Sequence, residues 1–175
     1  MRKLLLTACA LVALIAATNA QEIFAKRDFV GHVGIGIGSY LGGSNYTTTV
    51  PPILISGEYG ILDSFIRGKA AIGVGGYLAY TANKLKINSS SQQSFFIIGA
   101  RGVFHYQFVE KLDTYAGLML GYQGVSTKNL TGGASSGFCP ASFIGVRYYF
   151  SDRFAAFSEL GYGIAALEFG IAIKL

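Results

Sequence analysis

The residue types able to do chemistry are few in this chain, and their spacing is the first thing to weigh. His32 and His105 are the only histidines. Neither lies near a carboxylate and a hydroxyl at a spacing that marks a nucleophile and its base, so no catalytic residue is assigned. No set of His, Cys, Asp and Glu has metal-ligand spacing, and no metal or other cofactor is expected. Cys139 is the only cysteine after Cys9, which excludes an internal disulfide in the chain beyond its first twenty residues. The glycine runs "GIGIG" and "GVGG" match neither the dinucleotide nor the Walker spacing. What remains is a scatter of single charges: Glu58, Lys69, Arg101, Arg147, Glu159, Glu168 and Lys174.

Their setting gives those charges a meaning. In "SFFIIGARGVFHYQF" (94 to 108), alternate residues form two lists. Phe96, Ile98, Ala100, Gly102, Phe104, Tyr106 and Phe108 make an apolar face, while Phe95, Ile97, Gly99, Arg101, Val103, His105 and Gln107 make a mixed one. A period of two is that of a β-strand. The same alternation recurs from Phe29, around "ILISGEYGI", from Lys69 to Tyr80, in "TYAGLMLGYQ", and three times after Ser142. One of the later segments sets Leu160, Tyr162 and Ile164 against Phe157, Glu159, Gly161 and Gly163. Eight strands result, and every charge named above falls on the glycine-rich face.

Composition says which solvent each face meets. The chain is 51% hydrophobic and 13% charged, against about 25% charged in an ordinary soluble domain. Its mean hydropathy is +0.45, yet after residue 20 it has no apolar run of the roughly 18 residues that a membrane helix needs. Residues 1–20, "MRKLLLTACALVALIAATNA", have the basic start, apolar run and small-residue end of a secretory signal peptide, with cleavage expected between Ala20 and Gln21. Without Arg2 and Lys3, twelve basic residues face nine acidic ones. The basic residues are scattered singly, which excludes a phosphate-tracking stripe for nucleic acid. An exported, apolar chain without a spanning helix can live in a bilayer as a closed sheet that satisfies all its backbone groups.

The expected fold is therefore all-β: an eight-stranded antiparallel up-and-down transmembrane β-barrel over residues 29–175, preceded by a short periplasmic segment, 21–28. Short turns are expected at 62–68, 109–113 and 151–153, and long loops at 42–52, 81–93 and 124–137. Apolar faces meet lipid, with Tyr40, Tyr80, Tyr106, Tyr122, Tyr148 and Tyr162 near the interfaces. Glycines, tyrosines and charges line a narrow interior. Glu58, Arg101 and Glu159 are expected to meet across it, within a polar network that also holds Arg147, His105 and Lys69 and closes the lumen.

The segments "LDTYAGLMLGY" and "FIGVRYYFSDRFAAFSELGYGIAALEFGIAIKL" resemble the small outer-membrane β-barrel family common in Bacteroidetes, akin to the OmpA, OmpX and opacity-protein barrels. That resemblance implies a monomer in the outer membrane of a Gram-negative cell, placed there by the barrel assembly machinery. Outer-membrane lipid and lipopolysaccharide would surround it, and its loops would be free to meet a host or envelope ligand. The expected role is structural or adhesive and non-enzymatic. A narrow channel for small solutes is the alternative, followed by a lipid-modifying enzyme using a histidine and a serine on neighbouring strands. A soluble lipocalin-like carrier is opposed by the inverted faces.

Overall fold

The computed structural model describes residues 23–39, 41, 43–88, 90–129 and 134–175. The expected signal peptide and its Ala20–Gln21 cleavage point lie outside them, as does Tyr40. Eight strands follow in chain order: β1 (Phe29–Ile37), β2 (Tyr46–Ser64), β3 (Ala70–Leu85), β4 (Gln92–Val109), β5 (Leu112–Lys128), β6 (Gly137–Tyr149), β7 (Phe154–Gly161) and β8 (Leu167–Lys174). Each pairs antiparallel with its sequence neighbours, and β1 pairs with β8, closing an up-and-down barrel. Where all eight strands pair, closure leaves no strand edge and the ladder satisfies the backbone; at the loop end, β2 before Ile53 and β5 beyond Gln123 are paired on one side only.

Both faces of the barrel follow the alternation in the sequence. Val33, Ile55, Leu78, Ile98, Leu118, Ile144 and Ile171 project from the outer wall and are exposed, while Val30, Tyr77, Arg101, Tyr115, Arg147 and Ala172 are buried inside. Aromatic residues mark two levels on the outside. Phe96, Tyr122 and Phe138 lie at one end, Tyr106, Phe108, Tyr148 and Phe150 at the other. Along β4, Phe96 and Tyr106 are ten positions apart. At about 3.3 Å per residue and a tilt near 40°, that is about 25 Å, the height of an outer-membrane apolar band.

The two ends differ. At the turn end, β2 and β3 are joined by Phe65–Gly68, in which Ile66, Arg67 and Gly68 have positive φ. Only Glu110 and Lys111 separate β4 from β5, Lys111 having φ 62°. At the loop end, the connections expected at 42–52, 81–93 and 124–137 are shorter than the sequence suggested. Their flanks continue as strand, so that β2, β3, β4 and β5 reach 19, 16, 18 and 17 residues. The polar composition of these flanks reads as loop in the sequence. An antiparallel pair keeps its ladder when both faces are wet, and the β-branched run Thr47, Thr48, Thr49 and Val50 favours it. Pro51 and Pro52 are accommodated where the β2–β3 register shifts between Val50 and Ile53, since neither can donate to the ladder. The result is a tall wall of β2 to β5 beside a low wall of β7, β8 and β1.

Ile164 departs from its expected place on the lipid face. Strand β7 stops at Gly161, and the connection through residues 162–166 turns inward, burying Ile164 and Ala165 over the loop-end mouth. A short connection at a closed mouth finds apolar cover inside, which the alternation of a regular strand could not foretell.

Leu118 is 68% exposed and stands midway between the aromatic levels. Replacing it with Arg is expected to lower the unfolding free energy in vesicles by about 2–4 kcal/mol, measured by urea titration. On a water-facing wall the same change would be neutral.

Candidate functional site: the barrel lumen

The interior is built in two polar layers stacked along the barrel axis. The turn-end layer centres on Arg147, which is fully buried. Residue pairing places it directly opposite Asp113 on β5. Its Nε and Nη2 both donate to Asp113 Oδ2, at 2.9 and 2.5 Å. Its Nη1 donates to His32 Nε2 at 3.0 Å and reaches Glu58 Oε2 at 3.5 Å. His105 sits between two carboxylates, with Nδ1 3.0 Å from Asp113 and Nε2 hydrogen-bonded to Glu58. His105 thus bridges the two carboxylates that Arg147 also approaches, and Arg147 Nη2 lies 3.3 Å from its Nδ1.

The loop-end layer centres on Arg101. Its Nη2 donates to Glu159 Oε2 at 2.7 Å, and its guanidinium lies 3.7 Å from the Phe143 ring centre. The Tyr115 hydroxyl donates to Glu159 Oε1 at 2.9 Å, and that of Tyr77 to Glu168 Oε1 at 2.6 Å. Ser56 joins the layers: its hydroxyl is 3.1 Å from His32 Nδ1 and 3.4 Å from Arg101 Nη1. Polar side chains thus link both layers into one network.

Glycine provides the room. A Cβ at Gly73 would lie 2.4 Å from Glu58 Oε1, and one at Gly145 would lie 2.5 Å from the Tyr115 ring. Side chains from one strand therefore occupy space that the next strand leaves empty, which is how an eight-stranded interior holds rings and guanidinium groups.

Residues 23–28 turn into the turn-end mouth. Phe24 is buried, stacks on His105 with ring centres 4.2 Å apart, and lies 5.2 Å from the Arg147 guanidinium. The Tyr115 ring also lies against that guanidinium, at 5.1 Å. The segment is tied at several points: Ile23 N–H donates to Gln107 Oε1, Arg27 N–H to Gly60 O, and Lys174 Nζ contacts both Ile23 O and Asp28 Oδ2 at 2.7 Å.

Of the residues expected to form the network, Glu58, Arg101, His105, Arg147 and Glu159 all line the lumen. Their pairing differs from expectation in one respect. Glu58 does not join Arg101 and Glu159 but belongs to the other layer, because β2 delivers it at the height of His105. Lys69 lies in the turn before β3, half buried, with no partner for its ammonium among the described residues. It is not part of the network. Asp113 was missed because its position at a turn suggested a solvated residue. Its even spacing from Tyr115, Gly117 and Met119 was the available signal.

His32 and Ser56 are adjacent on β1 and β2, as a histidine–serine pair would need to be. The far nitrogen of His32 meets the Arg147 guanidinium, where a Ser–His–Asp arrangement would place a carboxylate. Within the loop-end layer, between Tyr77, Arg101, Glu159 and Glu168 and the 161–165 connection, lies a void of about 20 Å³, room for about one water molecule. The larger hollows of about 750 Å³ lie on the outer apolar wall.

The closed antiparallel barrel with an apolar wall and a charged, filled interior defines the class: a small eight-stranded barrel of outer-membrane type. No family model matches the chain, and no curated protein matches it. Among solved structures, the outer membrane protein OprG from Pseudomonas aeruginosa is similar with a TM-score of 0.55 at 9% identity, covering 90% of this chain and 99% of that one. Ail, the attachment invasion locus protein of Yersinia pestis, gives 0.54 at 12% identity, over 85% and 95%. A de novo designed transmembrane β-barrel gives 0.52 at 17%, over 86% and 97%. At these identities the likeness is one of fold.

Arg147→Gln strands Asp113 and Glu58 without their guanidinium. It is expected to cost about 3–5 kcal/mol of unfolding free energy in a urea titration of the folded barrel in vesicles. Lys69→Gln, at the turn, should change that midpoint little.

Proposed function

We propose that this chain is an exported, integral outer-membrane barrel, non-enzymatic and monomeric, whose lumen is closed and whose work lies at its loop-end surface. The observation that carries this reading is the filled interior: paired charges in two layers, Phe24 at one mouth and Ile164 at the other. With its interior filled in this way, the barrel serves as a rigid mount. Its tall β2 to β5 wall raises polar hairpins beyond the apolar band. In this reading residues 1–20 are removed as a signal peptide, the assembly machinery inserts the barrel, and the short turns face the periplasm. Its relatives are the OmpX and opacity-protein type of barrel, as the alternation and the segments after Leu112 suggest. Ail has been solved in complex with the heparin analogue sucrose octasulfate. That supports a surface-binding role for barrels of this shape, and envelope lipid, lipopolysaccharide or a host ligand are the partners in view here.

Two measurements test it. The purified protein in a planar bilayer should show no stepwise conductance, and Phe24→Ala should not create one, since Arg147 and its partners still fill the lumen. Discrete solute-sized steps from the wild type would favour the narrow channel instead. The outer-membrane lipid A of cells with and without the protein should have the same mass spectrum. A missing acyl chain that returns on deleting the protein would make it a lipid-modifying enzyme.

A further inference from the structure

The charges outside the lumen are divided unequally between the two ends. Around the turn end both signs occur, with Lys26, Arg27, Asp28, Asp63, Glu110, Lys111, Asp152 and Arg153 in the mouth segment or turns. At the loop end the sequence supplies lysines alone. No Asp or Glu occurs between Asp63 and Glu110, or between Asp113 and Asp152. Glu159 and Glu168, the carboxylates nearest that end, are buried in the lumen.

Two of the lysines are brought into one row by strand pairing. Lys84 on β3 lies opposite Gln92 on β4, and Gln92 lies opposite Lys128 on β5. Residues directly opposite in a ladder share a face. Here that face is the outer wall, since the next residues inward along β3 and β4, Asn83 and Gln93, are buried. With strands about 4.8 Å apart, the two lysines stand about 10 Å from each other. Neither ammonium has a partner among the described residues. The third lysine, Lys86, donates to Ser44 O.

Height decides what this row meets. Below it in the same register lie Ala82, Ser94 and Ser126, then Tyr80, Phe96 and Gly124. Four residues along tilted strands raise the lysine backbone by roughly 10 Å above the aromatic level. The polar headgroup layer is about 5–8 Å deep on each side of the hydrocarbon, and a lysine stem lets its ammonium reach down several ångströms. The small side chains of Ala82, Ser94 and Ser126 leave the wall recessed beneath the lysines. A partner approaching from solvent would meet the hairpin tips first. The row instead looks sideways, over the membrane surface.

We propose that Lys84 and Lys128, with Gln92 between them, hold the phosphate of a phosphorylated glycolipid in the surrounding leaflet. The phosphate would lie across β3 to β5, above Ser94. This rests on the outer-membrane reading given above and names one partner for it. The lysines act as point charges whose hydration is shared with the lipid phosphate, and Gln92 can donate to a phosphate or sugar oxygen.

The test uses the full mature chain folded into phosphatidylcholine vesicles doped with bisphosphorylated lipid A or with its dephosphorylated form. Insertion is read from the heat-modifiable band, and glycolipid retention from native mass spectrometry after mild extraction. Each lysine near an anionic surface is worth about fivefold in affinity, so K84Q/K128Q should retain the phosphorylated lipid roughly twenty-five-fold less well. Retention of the dephosphorylated form should not change. K26Q/K111Q, which removes as much charge from the turn end, should behave as the wild type. Equal retention of both lipids, or an undiminished preference in K84Q/K128Q, would overturn the assignment while leaving the barrel reading intact. Lysine-dependent binding of sucrose octasulfate without any preference between the lipids would overturn it in favour of a soluble polyanion. Absence of the heat-modifiable band would overturn both readings.

Discussion

Everything in this protein follows from closing a β-ladder on itself in a medium that cannot hydrogen-bond. Pairing β1 with β8 closes the ladder, and within the span where all eight strands pair the backbone makes no demand on its surroundings. That closure separates two environments. The outer face meets acyl chains, which accept Val, Ile, Leu and Phe and penalise charge. The inner face is a space about one side chain deep, cut off from both lipid and bulk water. A strand crossing between them has no freedom in how it alternates.

Charges confined in such a space must be paired or hydrogen-bonded. Arg147 lies against the Phe24 and Tyr115 rings and meets Asp113, Glu58 and His32. A guanidinium suits this position because it is flat, carries five donors and tolerates aromatic neighbours. His105 completes the layer by bridging the two carboxylates that Arg147 also touches. The second layer repeats the scheme with Arg101 between Phe143 and Glu159. What closes the lumen also staples opposite walls together, since Arg147 on β6 reaches β1 and β2, and Arg101 on β4 reaches β7.

The mouths and walls divide the remaining labour. The segment before β1 corks the turn end with Phe24, and the connection after β7 caps the loop end with Ile164. Phe24 and Ile164 thus cover the two ends among the described residues, and the outer surface is where the barrel differs most from side to side. There the tall side of the barrel, β2 to β5, carries the loop-end lysines, while the low side offers only apolar wall. A barrel symmetric in its hydrogen bonding is therefore asymmetric in what it presents.

The period of two in the sequence determined the strands, their number, and which residues face inward. Glu58, Arg101, His105, Arg147 and Glu159 are buried inside the barrel, because in a closed sheet each side chain has only two directions available. The low charge content and missing apolar helix determined that the apolar side faces out. What the sequence could not determine was height. Register between strands decides which inward residues share a level, so Glu58 joined His105 and Arg147 instead of Arg101, and Asp113 entered the network from a turn. Strand length at the loop end was hidden too, because a wet ladder and a loop have similar composition. Only the folded barrel decided that Phe24 and Ile164 close the mouths and that Lys84 and Lys128 align. Those contacts join residues far apart in the chain, and their meeting depends on the offset at which eight strands close.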